Sequence, residues 1–326
     1  MFRQIRSSLF RVFARVLSSA VIVFISISAA APAHADENLF GYLSGAEPTP
    51  KGHDGITGSL TRRWDKGAGD YTAHDLKIEY EHGVTERFAT GLAVKGLGID
   101  VSGIRIDAYI PQDEKYAMRP SGIEASFKYA FLTPALDDFG LATSFALSYD
   151  WRDSHSGQDK KRYGSELKFL AQKYFLDGQL VWVGNLALES VYADRAPIDN
   201  LPINDATGEP LEWPTTPEME IGLSFGTGLS YWFAPHWYIG VEALYDREHE
   251  TQVGTERWSW QVGPSLHYGD KSWWTTLTWF RQIAGGGSTF ESASFDGQVF
   301  PGQDDMGLHL IEKTKNELRL KVGYNF

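Results

Sequence analysis

The chain has 326 residues, a mean hydropathy of −0.29, a formal charge of −12 and no cysteine. The lack of cysteine excludes a disulfide framework and a thiolate metal site, and the acidic balance argues against a nucleic-acid partner, which would need a basic surface. Aromatic residues nevertheless make up 14% of the sequence. A high aromatic content with low mean hydropathy is typical of a barrel that carries its apolar residues on a thin outer band.

The first 35 residues have the features of a cleaved signal peptide. Four arginines accompany an apolar run from Val16 to Ala30, and Ala33-His34-Ala35 gives a small-x-small cleavage pattern before Asp36. The apolar run is too short and too rich in serine and alanine to anchor the chain in a membrane comfortably. We therefore predict cleavage after Ala35. The four leader arginines are then lost, and 26 basic residues remain against 42 acidic ones, a charge of −16.

Residues 36–54 are predicted to be a periplasmic lead-in to the first strand. Pro48 and Pro50 lie in this stretch and block a regular helix or a central strand. No later stretch supplies the roughly 20 apolar residues that a spanning helix requires. If residues 55–326 cross a membrane, they therefore cross it as strands.

From Gly55 onward the sequence repeats one pattern. A run of alternating apolar and polar residues is followed by a tight turn, a second such run and a longer loop. Alternation with a period of two gives a strand one apolar face and one polar face. Five short turns alternate with six longer loops, an asymmetry typical of outer-membrane barrels. The twelve predicted strands lie at about 55–64, 71–81, 87–96, 123–131, 139–151, 162–173, 180–192, 219–233, 237–246, 258–268, 272–283 and 314–326.

Aromatic residues mark both ends of these strands. Two aromatic belts around an aliphatic band are typical of a lipid–water boundary. A soluble β-sandwich or a lipocalin-like barrel also alternates, but neither explains the belts, the leader and the terminal aromatic together. The belt near the short turns contains Tyr129, Phe131, Phe139, Tyr231, Phe233, Trp237, Tyr268 and Trp273, and the belt near the loops contains Trp64, Tyr71, Tyr149, Trp151, Tyr245 and Trp258.

The fold class that follows is all-β, a transmembrane antiparallel up-and-down β-barrel of about twelve strands after a cleaved signal peptide. The last run, Leu318–Phe326, places Tyr324 and Phe326 on its apolar face and resembles the closing strand of a bacterial outer-membrane β-barrel. In such barrels the terminal aromatic is the signal that the barrel assembly machinery recognises. The resemblance implies that outer-membrane lipid and this machinery are the partners, and that the chain is located in the bacterial outer membrane.

Two further stretches carry a family resemblance. Gly41-Tyr42-Leu43, Thr49–Gly52 and Asp75–Phe88 resemble an uncharacterised family of proteobacterial outer-membrane barrels. The hairpin Glu79–Thr85 is also similar to that of transporters of the phenol-degradation (MetA-pathway) type. The resemblance implies the fold, the compartment and, by analogy, transport. It supplies no catalytic residue.

Charged residues of both signs alternate with the lipid-facing ones. Buried charges persist only when they are paired or hydrated, so these residues form an internal ion-pair network or line a track for solutes. The candidates for the lumen lining are Lys77, Glu79, Glu124, Lys128, Glu166, Lys168, Glu189, Glu220, Glu242, Arg257, Arg319 and Lys321.

Two inward faces consist of small residues, one from Gly140 to Ser148 and one from Gly222 to Ser230. A barrel of twelve strands is wider than one that side chains fill and narrower than an open porin. The small faces therefore predict a narrow bore between them. In the alternative, bulky inward residues such as Trp274 and Phe280, or an infolded loop, fill this space.

Signals for chemistry are weak. No His-x-Ser pair occurs, and Asp153-Ser154-His155 is expected to be a solvated loop at the rim. Glu248-His249-Glu250 and Asp304-Asp305 have oxygen and nitrogen ligands, but their spacing singles out no ion. We predict no catalytic residue, no metal and no cofactor.

The function expected from the sequence is a narrow porin-like channel for small solutes, hydrophobic or aromatic ones among them. A non-conducting structural or surface-interaction barrel is the alternative, and an outer-membrane enzyme is a third. Three loops, at about 97–118, 194–217 and 284–313, are expected to be long, as functional loops often are.

Overall fold

A computed structural model describes residues 38–67, 69–106, 110–194, 207–209, 217–250, 254–287, 307–310 and 312–326. The predicted signal peptide over 1–35 lies outside these residues. The described residues form twelve strands: β1 (Asp54–Trp64), β2 (Asp70–Thr85), β3 (Phe88–Ile106), β4 (Ile110–Leu132), β5 (Gly140–Arg152), β6 (Asp159–Phe175), β7 (Leu180–Ala193), β8 (Glu218–Ala234), β9 (Trp237–Glu250), β10 (Gly254–Gly269), β11 (Trp273–Gly287) and β12 (Asn316–Asn325).

The twelve strands close into one barrel, in which each strand pairs with its neighbours in sequence and β1 pairs with β12. All twelve pairings are antiparallel. Beyond the last pair of β1 and β12, Asp54 and Phe326 exchange two backbone hydrogen bonds of 2.9 Å. The closure leaves no strand edge unpaired. The predicted antiparallel up-and-down barrel of about twelve strands is confirmed.

The barrel has two different ends. The short connections that follow the even-numbered strands lie at one end together with the start of β1 and the end of β12, and we call this the turn end. The connections that follow the odd-numbered strands lie at the other end, which we call the loop end. Within the residues described above, no helix is long and apolar enough to cross a membrane.

The outer surface is apolar because alternate side chains of each strand point away from the lumen. On β8, Met219, Ile221, Leu223 and Phe225 are between 46% and 53% exposed. These outward residues alternate with the small inward face that the sequence predicts from Gly222 to Ser230. Aromatic residues near the turn end of the outer surface include Tyr129, Tyr231, Phe233 and Trp237, and those near the loop end include Tyr163, Tyr192 and Trp260.

Tyr71 departs from the predicted aromatic belts. Its side chain is only 5% exposed, and its hydroxyl donates a 2.9 Å hydrogen bond to the carbonyl of His155 inside the barrel. It belongs to the inward face of β2, on which Ala73 is also fully buried. An aromatic residue near a strand end is thus not sufficient evidence for a lipid contact.

The prediction of a long loop at 97–118 is wrong, because β3 and β4 continue through most of this stretch as a long hairpin. The apolar residues change face along β3. Leu92 and Val94 point outward and are 66% and 56% exposed, whereas Leu97 and Ile99 are 1% and 2% exposed. Beyond the change of face the hairpin buries an apolar cluster inside the barrel wall, made of Tyr71, Ala73, Leu97, Ile99, Val101, Ile104 and Tyr116.

The other two expected long loops are described only in part. β7 ends at Ala193, and only 194, 207–209 and 217 of the expected loop at 194–217 fall among the described residues. β11 extends to Gly287, so part of the loop expected at 284–313 is strand. Residues 288–306 lie outside the described part of the chain.

Candidate functional site

Residues 38–50, which we call the inner segment, lie inside the barrel near the turn end. Leu39, Phe40 and Leu43 are at most 2% exposed and pack against β7. This placement differs from the periplasmic lead-in that the sequence suggested over 36–54. The lumen takes these apolar side chains out of water, and that burial favours the placement.

The carboxylate of Glu242 on β9 holds the middle of the inner segment. Its Oε1 accepts hydrogen bonds from the backbone N–H of Gly41 and from the Thr278 hydroxyl, both at 2.8 Å. Its Oε2 accepts the backbone N–H groups of Tyr42 at 2.8 Å and Leu43 at 3.2 Å. Glu242 is fully buried. One carboxylate therefore satisfies three backbone donors that the lumen would otherwise leave without a partner.

Two amide side chains continue this pattern around the wall. Asn185 on β7 accepts the Ser44 N–H at 2.8 Å and donates to the Ser44 carbonyl at 2.9 Å. Gln172 on β6 accepts the Ala46 N–H at 2.7 Å. Lys128 on β4 then donates to the carbonyl of Glu47. The inner segment thus follows the barrel wall from β9 to β4, and polar side chains bind its backbone along the way.

Tyr42 reaches deepest into the barrel. Its ring stacks on Phe280, with centroids 4.0 Å apart, and the Arg319 guanidinium lies 3.8 Å from its ring centroid. Its hydroxyl donates to Glu317 at 2.8 Å. Burial, followed by the charge of Glu317, raises the pKa of Tyr42 well above its usual value, so the phenol remains a donor. Phe280 therefore fills part of the lumen. This agrees with the alternative in which bulky inward residues occupy the space of the bore.

The small face of strand eight supports the inner segment and borders no bore. A Cβ added at Gly226 would lie 2.3 Å from Leu43 Cδ2, and one at Gly228 would lie 2.8 Å from Phe40 Cε1. A larger residue at either position would therefore force Leu43 or Phe40 to move, and glycine lets the segment lie close to β8. The prediction of a bore that reaches the small face of β8 is therefore wrong, because the inner segment occupies the space beside that strand.

The other side of the lumen stays open along β1 to β6. A cavity of about 380 Å³ extends under the loop end, where Arg152 and Ser154 line it. A second cavity of about 270 Å³ reaches the turn end, where Gly55 and Asn325 line it. Six residues border both cavities, and we call this shared border the waist. The waist consists of Ser59, Lys77, Glu124, Ala146, Glu166 and Arg319.

Most of the charges predicted to line the lumen on this side are paired with each other. Lys77 lies 2.7 Å from Glu124 and 3.2 Å from Glu79, and Glu166 lies 2.6 Å from Lys168. These contacts match the internal ion-pair network, which is one of the two roles that the sequence allowed for these residues. The other was to line a track for solutes. Their role toward a solute stays a prediction.

Several of the other predicted lumen residues bind protein groups in the interior. Near the loop end, Glu220 pairs with Arg162 at 3.0 Å and Arg257 pairs with Glu248 at 2.5 Å. At the inner segment, Lys321 donates to the Asn38 side chain at 3.2 Å. Of the predicted residues, Glu220, Glu242 and Arg257 bind protein groups and do not line the two cavities, whereas Arg319 and Lys321 line a cavity and also hold the inner segment.

The loop end is closed over the larger cavity by residues 153–158. Arg63 donates to the Ser154 carbonyl at 2.5 Å, and the Tyr116 hydroxyl donates to the Gly157 carbonyl at 2.8 Å. Asp153 is 7% exposed and accepts the Ser156 N–H at 2.7 Å. The expectation that Asp153-Ser154-His155 forms a solvated loop is therefore wrong. Inward hydrogen bonds from the strands hold this loop over the lumen.

Residues 307–310 and 312–315 close a second part of the loop end. Gln282 on β11 accepts the His309 N–H at 2.5 Å and donates to the His309 carbonyl at 2.8 Å. The His309 ring lies 2.5 Å from Glu312. Burial acts to raise the pKa of Glu312, but His309 and then Arg257 outweigh it and bring this pKa to about 2. The second part is thus held by a buried contact between His309 and Glu312 and by the hydrogen bonds of Gln282.

Lys66 lies between these two loops and is 2% exposed, with its ammonium 4.5 Å from the centroid of the Tyr71 ring. Burial, and next the charge of Arg63, lowers the pKa of Lys66 to about 7. The ammonium is therefore disfavoured in the folded protein relative to the unfolded chain.

Replacing Lys66 by methionine is expected to stabilise the protein at neutral pH. The unfolded chain binds more protons between pH 7 and 10.5, so the stability of the parent rises with pH across this range. Below pH 7 Lys66 is charged in both states, so it adds no slope there and lowers the stability by a constant amount. The Met variant removes this slope. Thermal unfolding of both proteins in detergent at several pH values from 6 to 10 measures the difference, and parallel curves would contradict it.

The candidate metal ligands do not come together. On β9 Glu248 and Glu250 face inward and are buried, whereas His249 points outward and is exposed. Asp304 and Asp305 lie outside the described residues. Among the residues that are described, no group of three or more His, Cys, Asp or Glu side chains is arranged to hold a metal ion.

The sequence matches a family model over residues 32–326, and that family is described as "Family of unknown function (DUF6662)". The chain belongs to this family. No functionally curated protein matches the sequence. Its family membership therefore brings no activity with it.

Three solved structures are similar to most of this chain. The COG4313 outer membrane channel from Pseudomonas putida F1 matches with a TM-score of 0.53 and 11% identity over 86% of this chain and 98% of that chain. The β-domain of the Bordetella autotransporter BrkA gives 0.46 and 11% over 83% and 98%. The KdgM porin gives 0.41 and 15% over 83% and 99%. At 11% identity the likeness to the COG4313 channel shows the fold alone, which is that of an outer-membrane β-barrel.

Three residues that hold the inner segment were not singled out from the sequence. Gln172, Asn185 and Thr278 are uncharged polar residues on inward faces, where many such residues occur. The available signal was the apolar run around Leu39 and Phe40, which belongs to no alternating pattern and needs a place to be buried. The roles of Tyr324 and Phe326 toward the assembly machinery stay a prediction.

Proposed function

We propose that this barrel is an outer-membrane channel for small polar solutes, with its passage between the inner segment and the wall formed by β1 to β6. The observation that carries the proposal is the pair of cavities of about 380 and 270 Å³ that meet at the waist. Together they extend from the turn end to the underside of residues 153–158. In this proposal that loop is the gate at the loop end.

The lining favours polar solutes over the hydrophobic or aromatic ones suggested by the family resemblance. The two cavities are bordered by seven acidic and eight basic residues, so their walls are nearly neutral although the mature chain carries −16. The acidic ones are Asp75, Glu79, Glu81, Glu124, Asp150, Glu166 and Glu189, and the basic ones are Lys77, Lys95, Lys128, Arg152, Arg162, Lys168, Arg319 and Lys321.

Weak charge selectivity is the expected electrical signature of this passage. In a planar bilayer with a tenfold KCl gradient, the purified protein should pass current with a reversal potential close to zero, because cations and anions meet balanced charges. A reversal potential near the full cation value would show that the acidic surface, and not this lining, controls permeation. The same recording on an empty detergent control excludes leakage.

A non-conducting structural barrel is the second candidate, and the closure of the loop end favours it. Arg63, Tyr71 and Tyr116 all donate hydrogen bonds to carbonyls of residues 153–158. If the protein passes no current at any voltage, and vesicles that contain it do not swell in small sugars or amino acids, the channel proposal fails. The structural candidate then remains.

A further inference from the structure

The waist places opposite charges on opposite walls. Arg319 lies on β12 and Glu166 on β6, and both border both cavities. In the closed order of twelve strands, β12 and β6 are six strands apart in either direction. These two side chains therefore border the shared part of the two cavities from opposite sides of the barrel.

The positive side is held in a fixed orientation. Arg319 Nε donates to the Thr61 hydroxyl at 2.8 Å, Nη1 donates to the Gly41 carbonyl at 3.2 Å, and the guanidinium stacks on Tyr42. Among the described residues no carboxylate forms an ion pair with Arg319. A planar guanidinium that is fixed on one edge and lacks a carboxylate is suited to bind one from a solute.

The negative side carries an excess charge. Glu166 and Glu189 are direct cross-strand partners on β6 and β7, and like charges in such positions repel. Lys168 pairs with Glu166 at 2.6 Å, whereas no ion pair involves Glu189 within the described part of the chain. Glu189 borders the larger cavity. One negative charge is thus left facing the passage.

The other charges at the waist compensate each other, since Lys77 lies 2.7 Å from Glu124. Ser59 and Ala146 are small and leave room. The uncompensated groups are therefore a guanidinium on one wall and a carboxylate on the other. A solute with a single charge would satisfy only one of them.

We infer that the waist binds small zwitterionic solutes, with the solute carboxylate on Arg319 and its ammonium between Glu166 and Glu189. This inference rests on the proposed channel, because it names the class of solute that the passage selects. Each end of the solute forms a charge-assisted interaction that water cannot fully replace in a narrow space.

Titration calorimetry on the full mature protein in detergent tests the inference with glycine, 4-aminobutanoate and 6-aminohexanoate, and with acetate and butylammonium as singly charged controls. At least one zwitterion should bind more tightly than both controls. Glu189→Gln and Arg319→Gln should each weaken that binding about tenfold or more, the effect expected for a lost charge-assisted contact. Glu86→Gln, at an exposed turn residue, should leave it unchanged.

Because Arg319 also contacts the inner segment, Glu189→Gln is the decisive variant. The inference would be overturned if Glu189→Gln left the affinity for the zwitterion unchanged, or if acetate bound as tightly as every zwitterion. It would also be overturned if no zwitterion bound. Conductance recorded on the same preparations separates the two proposals. Current without zwitterion binding refutes this inference and leaves the channel, whereas binding without current supports the site and refutes conduction.

Discussion

Deletion of residues 38–50 is expected to raise the single-channel conductance several-fold. The inner segment occupies the space beside β7 to β9, and its removal joins that space to the two existing cavities. The barrel itself should still form, because its closure depends on the pairing of β1 with β12 and not on the segment. Recordings in planar bilayers, with the leader retained for export, measure the change.

A matched control keeps the length of the chain and changes only the packing. Replacing Leu39, Phe40 and Leu43 by serine removes the apolar side chains that bury the segment against the wall. This variant should show frequent openings to the conductance of the deletion, with returns to the parent level. Equal conductance of the deletion and the parent would show that the segment does not limit the passage.

Glu242→Gln is expected to release the inner segment without a change in the size of the side chain. The carboxylate now accepts four hydrogen bonds, two on each oxygen. In glutamine one of these oxygens becomes an NH2 group, which cannot accept the two hydrogen bonds on its side. The loss of these charge-assisted hydrogen bonds in a buried site should destabilise the seated segment by about 2–4 kcal/mol. The seated form would then no longer dominate.

The natural lack of cysteine makes this release measurable. Ala46 is fully buried against Ala130, Ala142 and Leu170. A thiol introduced as Ala46→Cys should react slowly with a water-soluble maleimide in the parent and rapidly when Glu242→Gln is added. The exposed Glu86→Gln serves as the comparison and should leave the labelling slow. Equal labelling rates in all three proteins would mean that Glu242 does not hold the segment.

The strands could be predicted from the sequence because lipid and lumen impose opposite polarity on successive residues. On β8 the alternation from Met219 to Phe233 gave both the strand and its outward face. The same rule predicted that β3 ends near residue 96, whereas the strand continues to Ile106. Beyond the bilayer the barrel buries Leu97 and Ile99 on the inside, so the polarity of the two faces is reversed.

The inner segment could not be predicted in the same way. Its hydrogen bonds join residues far apart in sequence, such as Gly41 with Glu242 and Ser44 with Asn185. A carboxylate that binds backbone N–H groups looks, in a sequence, like any other inward charge. Gly226 and Gly228 were recognised as small, but only the fold shows that Leu43 and Phe40 fill the space they leave.

The route of the inner segment has a topological consequence. It binds Thr276 and Lys321 at Asn38, reaches Tyr42 and returns to the turn end at Pro50. Both ends of the inner segment therefore lie near the turn end, and residues 38–50 are not threaded through the barrel. Insertion and withdrawal require no strand pair to separate, so docking of the segment can occur after the cylinder has closed and can be reversed in a membrane-embedded protein.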